Sequence, residues 1–300
     1  MERLGFVGLG SMGLPMAQRL AGAGFELKVF DVFAERTQPL VERGAASAAS
    51  PKEAAEGTEA LVLMVANAEQ AEGALFGEGG AAEALPEGAA VVVMSTIGPE
   101  AVRELAGALA ERGLRTMDAP VSGGVARAER GDLLIMAGGP EDLFVELSPV
   151  LGAMGSSVAH CGPRVGDGQS VKLVNQLLCG VHIAAAAEAL TYAEALGLDP
   201  RFVFETIRHG GANSFMLEDR GERMLREEYV PPKSALDIFV KDMGLVRGAA
   251  EEVGYQTPLS SAALGMYLAG KDAGLGSEDD SGVIRVFRRR PGTDGPTSPP

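Results

Sequence analysis

Lys172 lies in Gly168-Gln169-Ser170-Val171-Lys172-Leu173-Val174-Asn175-Gln176-Leu177-Leu178, a helical stretch that is apolar around most of its circumference. Asn175 follows one turn later, so both polar side chains share a helix face. A partly desolvated lysine beside a second positive charge has a lowered pKa and can accept a hydroxyl proton near neutral pH. The asparagine can orient the ammonium or a substrate. The plainer reading is a lysine snorkelling from the first turns of a helix. Spacing alone leaves both open.

A second chemical pattern is Gly8-Leu9-Gly10-Ser11-Met12-Gly13. Alone it marks a tight turn, but here it follows a short apolar strand and opens a helix, as a dinucleotide site requires. Gly8 allows the turn, Gly10 has no side chain to block a pyrophosphate, and Gly13 lets the helix pack against the sheet. The free N–H groups at the helix start, through Ser11 and Met12, face the phosphates. Asp31 closes the second strand about 20 residues on, where a carboxylate accepts hydrogen bonds from ribose hydroxyls and repels a 2′-phosphate. Val32 and Phe33 follow it, and Arg36 is the nearest cation. These residues point to NAD rather than NADP.

Asp118-Ala119-Pro120-Val121-Ser122-Gly123-Gly124 ends another strand, the place where open α/β sheets put their ligands. Ser122, Gly123 and Gly124 offer a hydroxyl and approachable backbone N–H groups, a donor set suited to a carboxylate. Cys161 and Cys179 make no CxxC, and His160, His182 and His209 have no metal-ligand spacing. Metal-free chemistry is expected. Two thiols make no disulfide framework, which favours a reducing, cytoplasmic setting.

The elements that must position these groups fall into two halves. Gly5–Leu9, Leu27–Asp31, Leu61–Val65, Val91–Ser95, Arg115–Ala119 and Leu133–Ala137 read as short strands. Helical patterns lie between them at Met12–Ala23, Ala34–Arg43 and Pro99–Arg112. Such alternation predicts a mostly parallel, doubly wound α/β sheet, a Rossmann domain over residues 1–164. After Gly162-Pro163-Arg164-Val165-Gly166-Asp167-Gly168 the strands stop. Helical patterns to about Leu196, from Asp199-Pro200, and over Ser214–Arg226, Leu236–Val253 and Pro258–Lys271 predict an all-α domain over 165–287. Residues 288–300, rich in Pro, Gly, Ser and Thr, read as a disordered tail.

The 300 residues carry 26 Lys and Arg against 41 Asp and Glu, a net charge of −15. That acidity argues against nucleic acid and anionic membrane as partners. It also means that an anionic substrate needs a locally positive pocket. No targeting segment is expected at the N-terminus. Lys172, Asn175, Gln176 and His182 interrupt the apolar run from Val171 to Ala187, which reads as a buried helix rather than a membrane span.

Together these stretches resemble the β-hydroxyacid dehydrogenase family, which includes 3-hydroxyisobutyrate dehydrogenase. The match runs from Gly5 to about Phe287, with the glycine motif, the Ser-Gly-Gly loop and the Gly-x-x-x-Lys-x-x-Asn helix in the family's order. The resemblance implies that Lys172 is the catalytic acid/base and that Ser122, Gly123, Gly124 and Asn175 bind substrate. It places Thr96, with Val65 and Asn67, on the cofactor side. Lys241, in Phe239-Val240-Lys241-Asp242, would contact cofactor or substrate and supply the missing positive charge. The stretches 175–189, 235–242 and 278–284 resemble the L-threonate dehydrogenase branch. Val65-Ala66-Asn67 departs from the Leu-Pro of the 3-hydroxyisobutyrate branch.

The implied reaction is hydride transfer to NAD from a small hydroxy acid, L-threonate giving its 2-keto acid. Alternatives within the family are a 3-hydroxyisobutyrate dehydrogenase and a semialdehyde reductase. From another class, a non-catalytic NAD-binding sensor would keep Gly10 and Asp31 but has no need of Lys172. Asn213, Ser214 and the 237–241 segment are candidate partners for extra substrate hydroxyls. The Ala-rich helix from Ser170 to Gly197 is too apolar to face solvent throughout, and the family resemblance implies a homodimer or homotetramer.

Overall fold

The computed structural model describes residues 1–288. They form two compact units, Met1–Leu173 and a second beginning at Val174. The sequence-predicted tail lies outside the described residues except for Arg288. That residue ends a helix, Ile284–Arg288, and pairs with Glu194 and Glu227.

The first unit is built on nine strands: β1 Arg3–Val7, β2 Glu26–Phe30, β3 Ala46–Ser47, β4 Ala60–Leu63, β5 Ala90–Val93, β6 Arg115–Asp118, β7 Val121–Ser122, β8 Leu134–Gly138 and β9 Ser157–Gly162. Strands β3-β2-β1-β4-β5-β6 lie side by side in that order, all parallel. β6 and β7 both pair antiparallel with β8, which pairs parallel with β9. The sheet is therefore mostly parallel, as predicted, with an antiparallel turn-back after β6.

Alternation along the central strands sorts their side chains into two buried layers. Phe6, Val62 and Val92 join one apolar cluster, while Val7, Leu61, Leu63, Val91 and Val93 join the other. Strands covered on both faces read as continuous apolar runs, as β4 and β5 do. The expected helix at Ala34–Arg43 is a 3-10 turn, Ala34–Thr37, followed by one short α-turn, Gln38–Val41. Pro39 sits at the start of that α-turn, where its fixed φ suits a first helical turn.

A long helix, Asp167–Ala195, starts in the first unit and continues past Val174. By length and composition it is the one helix among the described residues that could cross a membrane. Its Ile183, Ala187 and Leu190 are instead buried in the core of the second unit, with Phe204, Met243 and Tyr267. Gly180 permits this packing: a Cβ there would meet the Met243 sulfur at 2.3 Å. Tyr267 donates its hydroxyl to the Gly180 carbonyl at 2.7 Å. Helices Pro200–Ile207, Phe215–Arg226, Leu236–Glu252 and Pro258–Asp272 complete the unit.

An ion-pair network closes the second unit. Arg220 binds Asp280 at 2.9 Å, and Arg223 binds Asp279 at 2.5 Å and also Asp219. Burial alone would push the Asp279 carboxyl up. The Ser281 hydroxyl, the Arg223 guanidinium and backbone N–H donors hold it below the usual range.

Candidate active site

The glycine turn after β1 leaves no room for side chains at two of its glycines and open space at the third. Gly8 has φ +96°, and a Cβ there would meet the Met64 carbonyl oxygen at 2.3 Å. A Cβ on Gly13 would meet the Gly8 oxygen at 1.9 Å, so the helix Gly13–Gly22 can seat here only without a side chain. At Gly10 a Cβ would meet nothing within 4 Å, leaving backbone open to a ligand. Ser11 is exposed and Met12 half-buried beside it. An open, positively polarised helix start between two packed glycines fits a pyrophosphate.

Asp31 follows β2 and is nearly buried. One carboxylate oxygen accepts the Leu9 N–H at 2.7 Å; the other accepts the Phe33 N–H at 2.9 Å and Arg36 at 3.3 Å. A carboxylate has about four acceptor sites, so one remains for a ribose hydroxyl. Arg36 also lies over the Phe33 ring, 4.4 Å from its centroid. Sequence reading noted Arg36 as the nearest cation but not that it pairs with Asp31.

After β4 and β5 two turns come together. The Val65 N–H donates to Ser95 Oγ at 2.7 Å. Thr96, next in the chain, is half-buried. The Asn67 side chain accepts the Gln70 N–H at 2.8 Å and so caps the helix Ala68–Phe76. Its carbonyl is thus engaged in the fold, which sequence spacing did not reveal.

Ser122 ends β7, and Gly123 and Gly124 follow with φ +139° and +71°, a backbone that side chains disfavour. A Cβ on Gly123 would press against Arg127, which binds Asp132 at 3.2 Å. Arg127 therefore brings a positive charge to this loop, a residue that sequence reading passed over.

Lys172 is buried, 6% exposed, on the second turn of the long helix. The start of that helix is fastened to three strand ends. Asp118, at the end of β6, accepts the N–H groups of Gly166 and Gln169, each at 2.6 Å. Burial pushes the Asp118 carboxyl up to about 6, against those donors and its own backbone N–H. Gly138 of β8 faces Gly168, and a Cβ on either would lie within 2.4 Å of backbone. Gln169, fully buried, reaches the turn after β5: its carbonyl accepts Ile97 and Gly98 N–H at 3.1 Å, and its amide donates to the Ser95 carbonyl at 2.8 Å.

In the second unit Asn175 and Lys241 are linked by buried side chains. Asn175 donates to Gln176 at 2.9 Å, Gln176 to Asp242 at 2.5 Å, and Lys241 lies 3.0 Å from Asp242. The other candidates are engaged elsewhere. Ser214 caps the helix Phe215–Arg226 through the Leu217 N–H, and Asn213 donates to Glu218. Asp237 lies 3.6 Å from Lys271. No group of His, Cys, Asp and Glu among the described residues could hold a metal ion.

Comparison with known proteins agrees with this geometry. Residues 3–162 match the NAD-binding domain of 6-phosphogluconate dehydrogenase, and 166–287 match the NAD-binding domain of NADP-dependent 3-hydroxyisobutyrate dehydrogenase. The chain is 42% identical to an L-threonate dehydrogenase of Cupriavidus necator over 95% of this chain and 96% of the relative. An NAD-dependent L-serine dehydrogenase of Pseudomonas aeruginosa is 33% identical over 96% and 98%. The crystal structure of a 3-hydroxyisobutyrate dehydrogenase from Salmonella typhimurium superposes with a TM-score of 0.89 at 41% identity, covering 96% of this chain and 100% of that one. The fold and its glycine turn define an NAD-binding dehydrogenase. The chain belongs to the β-hydroxyacid dehydrogenase family typified by 3-hydroxyisobutyrate dehydrogenase.

Proposed function

We propose that the protein oxidises L-threonate at its 2-hydroxyl to the 2-keto acid, with NAD as cofactor and Lys172 as the proton-transfer group. The observation that carries the reading is a buried lysine on a helix fastened to the ends of β5, β6 and β8. A lysine taken out of water favours its neutral form and can accept a hydroxyl proton. Gly8, Gly10, Ser11, Met12 and Gly13 hold the pyrophosphate, and Asp31 the adenosine ribose. Val65, Asn67 and Thr96 line the nicotinamide side. NAD, when bound, supplies the hydride acceptor.

Ser122, Gly123 and Gly124 receive the substrate carboxylate, with Arg127 contributing charge behind them. Asn175 and Lys241, joined through Gln176 and Asp242, are the further substrate-binding residues in this reading. The similarity to L-threonate dehydrogenases supports the substrate. The Salmonella structure supports a second reading, oxidation of 3-hydroxyisobutyrate. A semialdehyde reductase or a non-catalytic NAD sensor accounts less well for a buried lysine beside an NAD-preferring acid. The protein acts in the cytoplasm as a homodimer or homotetramer, without nucleic acid or membrane partners.

NADH formation measured with each acid tests this. A site built to bond several hydroxyls rejects analogues lacking them, because its own polar groups are left unpaired. L-threonate is expected to give the higher kcat/KM. A higher value for 3-hydroxyisobutyrate would move the protein to the second reading.

A further inference from the structure

Gln169 is fully buried and uses every polar atom of its side chain on one turn. Its carbonyl accepts from Ile97 and Gly98, and its amide donates to Ser95. These partners flank Thr96. Its own backbone N–H is fixed by Asp118, and Lys172 lies one helical turn further on. We propose that Gln169 is a positioning residue that sets the register between Lys172 and the 95–98 turn.

The inference rests on the reading of Lys172 as acid/base and of the 95–98 turn as the nicotinamide side. The proton leaves the hydroxyl oxygen for Lys172 while the hydride leaves the carbon that bears it for the nicotinamide, so two protein elements have to agree in position. The 95–98 turn comes from the end of β5 and Lys172 from the helix that follows β9, so chain proximity cannot align them. The Gln169 amide spans them directly. The long helix cannot slide on its seat, because Gly138 and Gly168 meet backbone to backbone and Asp118 holds its first N–H groups. Gln169 then ties the turn to the helix through three side-chain hydrogen bonds. A misplacement of about 1 Å at reacting atoms costs up to about 10²-fold in rate.

Two variants test this, assayed with NAD and whichever of L-threonate, 3-hydroxyisobutyrate and L-serine the unmodified enzyme turns over best. Gln169→Met keeps the volume and removes all three bonds. It is expected to lower kcat by about 10- to 100-fold while NADH affinity changes little. In the cofactor-free protein, hydrogen exchange at Ile97 and Gly98 is expected to quicken by at least ~10-fold, because their amides lose a buried acceptor. Gln169→Glu keeps the acceptor for Ile97 and Gly98 but can donate to the Ser95 carbonyl only when protonated. Its kcat relative to the unmodified enzyme is therefore expected to be at least ~5-fold higher at pH 6 than at pH 9. If Gln169→Met does not fold, Gln169→Glu decides.

Turnover within about twofold of normal in the folded variants, or a Gln169→Glu loss that is the same at every pH, overturns the proposal. A Lys172→Ala control separates the two levels. If it stays active, the acid/base reading falls and this one with it. If it is inactive while the Gln169 variants are normal, only this inference falls.

Discussion

The backbone N–H of Leu9 donates to the Asp31 carboxylate at 2.7 Å, so the acid that follows β2 also braces the glycine turn after β1. In the proposed reading, cofactor choice and the shape of the pyrophosphate site are thereby tied to one side chain. The same carboxylate holds Arg36 at 3.3 Å.

The unmodified enzyme is expected to prefer NAD in kcat/KM. Asp31→Ser should lower the NAD value by at least ~10-fold, because bonds to a charged group contribute about 1.5–3 kcal/mol each. It should also raise the NADP value, because Arg36 is freed to meet a 2′-phosphate. Adding Arg36→Ala is expected to remove that rise. Equal use of both cofactors by the unmodified enzyme contradicts the assignment of Asp31.

Asp118 makes a prediction about stability and pH. Burial raises its carboxyl from 3.8 unfolded to about 6 folded. Between those values the folded protein holds the extra proton, so this group's contribution falls as pH rises through the window. Asp167 on the long helix faces it and raises it further, while Arg164 pairs with Asp167 at 3.4 Å, and Cys161 of β9 feels both carboxylates. Relative to Asp118→Asn, the unmodified protein should lose on the order of 2 kcal/mol of stability between pH 4 and pH 6 and change little above pH 7. Urea unfolding of both proteins across that range checks it. A gain in stability of the unmodified protein relative to Asp118→Asn as pH rises from 4 to 6 contradicts it.

The second unit carries an expectation about assembly. Val174, Leu178 and Tyr192 of the long helix, and Leu196 just after its end, are each at least half exposed. Apolar exposure of this kind along one helix marks an interaction surface. Light scattering should give a dimer or tetramer at micromolar concentration, and Leu178→Glu with Tyr192→Glu should shift it toward monomer. A stable monomer of the unmodified protein contradicts this.

Much of the architecture was legible because it rests on local pattern. The apolar runs of β4 and β5 and the glycine spacing from Gly8 to Gly13 each state their structural need within a few residues. Three strands were missed for definable reasons. β3 and β7 have two residues each, and β9 is partly exposed, so Ser157–Gly162 shows no apolar run. The helix Ala68–Phe76 buries only Ala71 and Leu75, too few to set a period. The site divided in the same way. Lys172 and Asn175 stood out as polar groups in an apolar helix. Asp118 and Gln169 did not, because their partners lie 48 to 74 residues away in the chain. Arg127 reads as an ordinary helical arginine until Gly123 is seen against it.

The central claim is that Lys172 moves the proton. Lys172→Ala, measured for NADH binding by fluorescence and for turnover in steady state, tests it most directly. Near-normal NADH affinity is expected, with kcat reduced by at least ~10²-fold, the range for losing a general acid/base. Turnover close to that of the unmodified enzyme would contradict it.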